Sequence, residues 1–240
     1  MIFHCIGSSS SGNGYFFKDS NGKVLILECG VKTIEFKKAL NWQMSDIVGV
    51  LTTHEHNDHS LNIQDFAKMG IHVYALREVL DAKGVTTFGN PILPMKKYQL
   101  GPYQVFTLPV AHDVPCLAFV ICHPEMGKVL FVTDTMMLEY KVKGLNHICI
   151  ECNYSDDALT RAIECGRTPE AMRSRLLQSH MELETTVGVL RANDLSVVNE
   201  VVLIHLSGNN SDGAEFVRRI EQETGKPTYV AKKGLELEFD

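Results

Sequence analysis

An α/β fold, with sheet inside and helices outside, is predicted for this chain as one domain over residues 1–240. Short apolar runs recur along the chain and each is closed by a turn, the mark of buried strands. Stretches with helical spacing gather after these runs, so helices are expected to cover a sheet that forms first. No Pro/Ser-rich linker divides the 240 residues, and the only biased segment is a Ser-Gly turn near the start.

Taken in order, the strands are expected at 1–6, 15–18, 24–28, 47–51, 71–75, 103–108, 117–122, 129–132, 147–151, 200–204 and 228–230. Helices are expected at 32–41, 61–69, 156–165, 169–178, 183–192 and 213–224. Pro169 suits a first helical turn, with Thr168 as its N-cap. Residues 84–100, with Pro91 and Pro94, read as a long connection.

Composition narrows the class. Hydrophobic residues make up 45% of the chain and charged residues 22%, the balance of a globular core. No window approaches the roughly 18 consecutive apolar residues of a membrane span, and the first residues lack the basic start of a secretory signal. A cytoplasmic protein without membrane partners is therefore expected. Seven cysteines, mostly inside apolar runs, fit reduced, buried thiols. Cys149 and Cys152 form a C-x-x-C, but no second pair stands at zinc-ribbon spacing. The net charge of −6 argues against a general nucleic-acid coat. It leaves a nuclease open, because two divalent ions would bring positive charge into the site itself.

The chemistry concentrates in LTTHEHNDH, which holds His54, His56, Asp58 and His59. Imidazole and carboxylate are the usual ligands of zinc, manganese and iron. The pattern H-x-H-x-D-H arises by accident on the order of once in a thousand such chains, so it is specific. Its surroundings repeat one theme: VGVL leads to His54, VFTLPVA ends at His112, KVLFVT ends at Asp134 and VVLI ends at His205. Four buried strands thus deliver candidate ligands at their carboxyl ends, where sheet folds place their sites. His4, His72, His123 and His147 lack this context and read as structural.

In this order the motifs resemble the metallo-β-lactamase superfamily. GSSSSGN near the start, AHDVPCLAF around His112, TDT around Asp134, ECNYS at 151–155 and HLSGNNS at 205–211 are similar to the YycJ/WalJ-type exonuclease-like branch. The resemblance implies a four-layer αββα sandwich. It implies one metal ion on His54, His56 and His112, a second on Asp58, His59 and His205, and Asp134 bridging them. Two departures stand out. The family usually has Asp where this chain has Glu28, an acid that orients the first metal's histidines. The branch also tends to have HLSN where this chain reads HMEL from His180.

The expected reaction is phosphodiester hydrolysis, trimming DNA or RNA from a 5′ end. A hydroxide shared by two divalent ions, zinc or manganese, is the expected nucleophile, with Asp58 and Asp134 fixing its position. His180 is assigned as general acid for the leaving 3′ oxygen, by resemblance and as the one spare histidine in a suitable loop. Substrate contacts are expected from Ser8 and Asn13 on one rim, from Arg173 and Arg175 in an arginine-rich stretch, and from Ser207 and Asn210 beyond His205. Two alternatives stay open: hydrolysis of a small thioester, lactone or cyclic nucleotide, and a metal-binding regulatory module without turnover. No obligate protein partner and no oligomeric state are indicated.

Overall fold

A computed structural model describes residues 1–240. The first half of the chain lays down β1 (Ile2–Gly7), β2 (Gly14–Lys18), β3 (Val24–Leu27), β4 (Ile47–Leu51), β5 (Val73–Ala75) and β6 (Gly89–Pro91). These pair in sequence order, antiparallel as far as β3 and parallel from β3 to β6. A second sheet follows, also in sequence order: β7 (Lys97–Leu100), β8 (Tyr103–Val110), β9 (Cys116–His123), β10 (Gly127–Val132), β11 (His147–Glu151), β12 (Glu200–Ile204) and β13 (Thr228–Val230). The chain returns as β14 (Glu236–Glu238), which pairs antiparallel with β1 and completes seven strands in each sheet.

Helices α1 (Thr33–Ala39), α2 (Asn57–Ser60), α3 (Ile63–Lys68) and α4 (Arg77–Ala82) interleave with the first sheet. Helices α5 (Asp156–Glu164), α6 (Met172–Ser179), α7 (Leu183–Ala192) and α8 (Gly213–Thr224) interleave with the second. Between the sheets, Tyr15 meets the ring of Phe131 edge-on at 5.5 Å. Alternation within β10 shows why its run is apolar throughout. Val129 and Phe131 join the 39-residue cluster shared by the two sheets, while Leu130 and Val132 join a second cluster with Leu183, Leu190 and Phe216 of α7 and α8. A strand covered on both faces has no polar side to display. On the far face of the first sheet, Phe36 of α1 and Phe66 of α3 pack edge-on at 5.4 Å. The result is the αββα order of layers. No helix is long and apolar enough to cross a membrane.

Several local expectations need correction. Residues 84–100 are not a bare connection, because they carry β6 and β7. The helix expected at 61–69 is α3, and the short α2 precedes it, so Asp58 and His59 sit on a helical turn rather than in an open loop. Helix α6 starts at Met172, not Pro169, and Thr168 donates its hydroxyl to Asn210 at 2.7 Å instead of capping it. Helix α4 and strand β14 were not expected. The latter alternates polar residues on a sheet edge and offers no apolar run to read.

Candidate metal centre

The sandwich brings the carboxyl ends of β4, β8, β10 and β12 to one edge. Beyond β4, Thr52 and Thr53 are buried and lead to His54, which is also buried. His56 caps α2, and the first turn of that short helix carries Asp58 and His59. That turn is clamped by backbone: Asn13 N–H donates to the Asp58 carbonyl and Cys29 N–H to the His59 carbonyl, each at 2.7 Å. Gly30 permits this approach, since a Cβ there would lie 1.7 Å from the Asp58 carbonyl oxygen. At the end of β12, His205 takes a left-handed backbone (φ 55°), and Glu28 does the same after β3 (φ 63°). Such conformations cost a non-glycine residue about 1–3 kcal/mol and persist where surrounding structure imposes them.

Asp134 is the centre of the cluster. Its Oδ1 lies 2.9 Å from His205 Nδ1 and 3.2 Å from His59 Nε2, while its Oδ2 lies 3.8 Å from His54 Nε2 and 3.9 Å from His112 Nε2. One carboxylate thus faces two sets of ligand atoms. His54, His56, His112 and Asp134 form the first; Asp58, His59, Asp134 and His205 form the second. Within each set the ligand atoms lie within 4.8 Å of one another. Asp58 Oδ2 stands 3.2 Å from both His59 Nε2 and His205 Nε2.

These residues fit divalent metal ions. Ligand atoms around a tetrahedral ion at about 2.0–2.1 Å are separated by about 3.3 Å, close to the spacing here. His54 Nε2 is buried and has no hydrogen-bond partner in the protein, an arrangement a bound cation resolves. Burial holds His54 and His112 below the usual imidazole range, the neutral form that ligates. Burial also acts to lower His59 and His205, but the charge of Asp134 prevails and raises both. Asp58 and Asp134 are desolvated, yet hydrogen bonds and charge from His59 and His205 hold both carboxyls below their usual range. A bound cation replaces the proton's electrostatic role in such a cluster.

A supporting layer sets the tautomers. Thr53 donates its hydroxyl proton to Glu28 Oε1 at 2.6 Å, so its oxygen accepts from His54 Nδ1–H at 2.9 Å and leaves Nε2 bare. His112 Nδ1 donates to the Ser179 carbonyl at 2.9 Å, again leaving Nε2 for a ligand role. The extra methylene of Glu28 is thereby accommodated. The acid reaches His54 through Thr53, and its Oε1 also stands 3.5 Å from His59 Nδ1.

Glu151, at the end of β11, was not assigned a role from the sequence. It is fully buried, and its Oε1 lies 2.7 Å from His180 Nδ1 and 2.9 Å from His205 Nδ1. Its Oε2 accepts from Thr135 and Met181 N–H groups. The available signal was a fifth apolar run, HICI, that also ends on an ionisable residue.

A cavity of about 470 Å³ opens over the cluster. Asp58, Asp134, His180, Arg175, Ser207 and Asn210 line it, and so do Ser10, Arg167 and Asn209. Three expected substrate contacts are elsewhere. Ser8 accepts hydrogen bonds from His205 N–H at 2.9 Å and from the Tyr15 hydroxyl at 2.8 Å, so it supports the backbone of His205. Asn13 is wholly buried, with Nδ2 donating to the Asp58 carbonyl at 3.3 Å, and cannot reach the cavity. Arg173 pairs with Asp156 at 2.6 Å and bonds Thr160, away from the cavity. Two positions apart on α6, Arg173 and Arg175 are about 200° apart around the axis, so one turns away when the other faces in.

Fold and site together define a metal-dependent hydrolase. The chain belongs to the metallo-beta-lactamase superfamily, whose family match runs over residues 9–138, more than half of its length. It is 26% identical over 228 residues to exodeoxyribonuclease YycJ of Bacillus anthracis, covering 88% of this chain and 84% of that protein. It is 22% identical over 224 residues to exodeoxyribonuclease WalJ of Streptococcus pneumoniae, covering 87% and 82%. Among solved structures, the metallo-beta-lactamase fold protein YhfI from Bacillus subtilis superimposes with a TM-score of 0.77 at 17% identity, over 98% of both chains.

Proposed function

We propose that this protein is a dinuclear metal-dependent phosphodiesterase that shortens nucleic acid, DNA in the first instance, from a 5′ end. The observation that carries the reading is the character of the cavity. Only two of its 17 lining residues, Met172 and Leu176, are hydrophobic, and Arg167, Arg175, Ser207 and Asn210 offer donors to phosphate. A site for an acyl thioester or a lactone would be expected to present apolar walls. Exodeoxyribonucleases YycJ and WalJ, two relatives matched over most of this chain, favour DNA over RNA.

His54, His56 and His112 would hold one ion, Asp58, His59 and His205 the other, and Asp134 both. Five imidazoles among seven ligands favour zinc, and the carboxylates also admit manganese. Bound ions supply an activated water and positive charge for the oxygens of the transition state. Asp58 and Asp134 both line the cavity above the cluster, where their carboxylates would fix the position of the attacking water. His180 has Nδ1 on Glu151 and Nε2 toward the cavity, so it is the proton donor to the leaving 3′ oxygen. Burial opposes the charged form of His180, but Glu151 outweighs it and keeps the imidazole above its usual range. Glu151 is therefore the positioning residue for that proton.

The test is an activity panel of end-labelled single- and double-stranded DNA and RNA, run with zinc and with manganese. Stepwise shortening of DNA from the 5′ end is expected. A metal-replete protein that opens lactones or thioesters and leaves every phosphodiester intact would overturn the reading.

A further inference from the structure

A second cavity, of about 460 Å³, lies on the outer face of the second sheet, away from the metal centre. Its walls carry Lys97 of β7, Lys128 of β10, and Lys141 and Lys143 of the segment that follows Asp134; no acidic residue lines it. Phe106 and Tyr140 stand among the lysines and are both half-buried. The groove is built rather than accidental in one respect: Lys128 Nζ donates to the Lys143 carbonyl at 2.7 Å and ties its two walls together. Four cations without a lining acid are at odds with a chain whose net charge is −6. That segregation of charge is what a polyanion would recognise.

The groove is connected to the catalytic centre by covalent structure. From Lys128 the chain follows β10 to Val132 and reaches Asp134 two residues later, six residues at about 3.3 Å each, so the two places are about 20 Å apart. The segment after Asp134 turns back along the same route. Met136 and Met137 are exposed beside His180, and Tyr140, Lys141 and Lys143 follow at the groove.

We propose that this groove is an exosite for the backbone of the nucleic-acid strand that enters the catalytic cavity. Phosphates pair with Lys97, Lys128, Lys141 and Lys143, and bases lie against Phe106 and Tyr140. The inference rests on the phosphodiesterase reading and adds to it a length dependence. At about 3.4 Å per nucleotide in a stacked strand, and about twice that in an extended one, 20 Å is about three to six nucleotides. Substrates shorter than that end before the groove, and longer ones are held by it. Lysine charge with interleaved aromatic rings favours nucleic acid over an acidic polypeptide, which has no bases to stack.

The variant K97Q/K141Q/K143Q tests this. All three side chains are exposed, and Lys128, which bonds the opposite wall, is left intact. Binding of single-stranded DNA of 2 and 20 nucleotides is measured with metal chelated, across several salt concentrations. KM and kcat on the same DNAs, metal content, and hydrolysis of a chromogenic phosphodiester too small to span the distance are measured with metal present. The expected result is weaker binding and a higher KM for the 20-mer only. Its log–log salt slope should fall by about 2, at roughly 0.7 for each phosphate no longer neutralised by a lysine. Metal content, kcat and the chromogenic rate should stay at wild-type values. An unchanged salt slope and KM for the 20-mer would overturn the exosite. So would loss of poly-glutamate binding with DNA binding intact, which would give the face to an acidic polypeptide. A wild-type protein that hydrolyses the chromogenic diester but neither binds nor cuts any nucleic acid would fail at the substrate reading itself, and the exosite would fall with it.

Discussion

At the scale of single residues, the centre divides into groups that face a ligand and groups that hold them. Asp134 faces both ligand sets, and His180 faces the cavity with its far nitrogen tied to Glu151. Substitution should separate these roles. Asp134→Ala is expected to lose most bound metal together with activity, by elemental analysis and assay. His180→Ala is expected to keep its metal and lose about 10²–10⁴-fold in rate on DNA, the usual contribution of a positioned proton donor. The loss should shrink on a nitrophenyl diester, whose leaving group needs no proton. Equal slowing on both substrates with metal retained would make His180 a positioning residue. Loss of metal from His180→Ala would bring it into the ligand set, with which it already clusters alongside Asp134, Glu151 and His205.

At the scale of elements, α6 decides which arginine meets substrate. Arg175 lines the cavity, while Arg173 is spent on Asp156 and Thr160. Arg175→Ala is expected to weaken oligonucleotide binding and to lower its salt slope by about 0.7–0.9, the contribution of one neutralised phosphate. Arg173→Ala should leave that slope unchanged. Its exposed ion pair contributes at most about 1 kcal/mol of stability, so the protein should stay folded. Equal effects of the two variants on the salt slope would mean that α6 turns on binding DNA. Binding titrations at several salt concentrations distinguish these outcomes.

At the scale of the molecule, the two sheets must pack together before any site exists. Buried Asp134, Glu28 and Glu151 crowd the junction with Asp58 beside them, and cations there should strengthen the native state. Metal at 100 times its Kd is expected to add about 2.7 kcal/mol per site if it binds only the folded chain. At about 2–4 °C per kcal/mol for a chain of this size, a single site corresponds to a rise of roughly 5–10 °C in Tm. Calorimetry with and without chelator measures it. A Tm indifferent to metal would count against a cation at the sheet junction.

While the αββα order of layers came from the family resemblance of its motifs, the sequence read alone carried the α/β class with sheet inside and helices outside, the H-x-H-x-D-H cluster and the strand-end positions of His112, Asp134 and His205. Those are local patterns: a strand buried on both faces must be apolar, and the polar residue that ends it must lie at the sheet edge. The direction in which each remaining polar side chain points follows from how the two sheets and their helices pack. Ser8 and Asn13 were legible as a polar turn, yet they became supports under His205 and Asp58 because β2 and β12 draw that turn inward. Glu151 was legible only as the end of an apolar run, and its role depends on histidines 29 and 54 positions away. Lys97, Lys128, Lys141 and Lys143 look like scattered surface charge until antiparallel pairing of β7 to β10 brings Lys97 and Lys128 to one groove and the segment after Asp134 lays Lys141 and Lys143 along it. Periodicity reports whether a residue is inside or outside; its partner across the fold is set by strand order and register, which no local run of residues encodes.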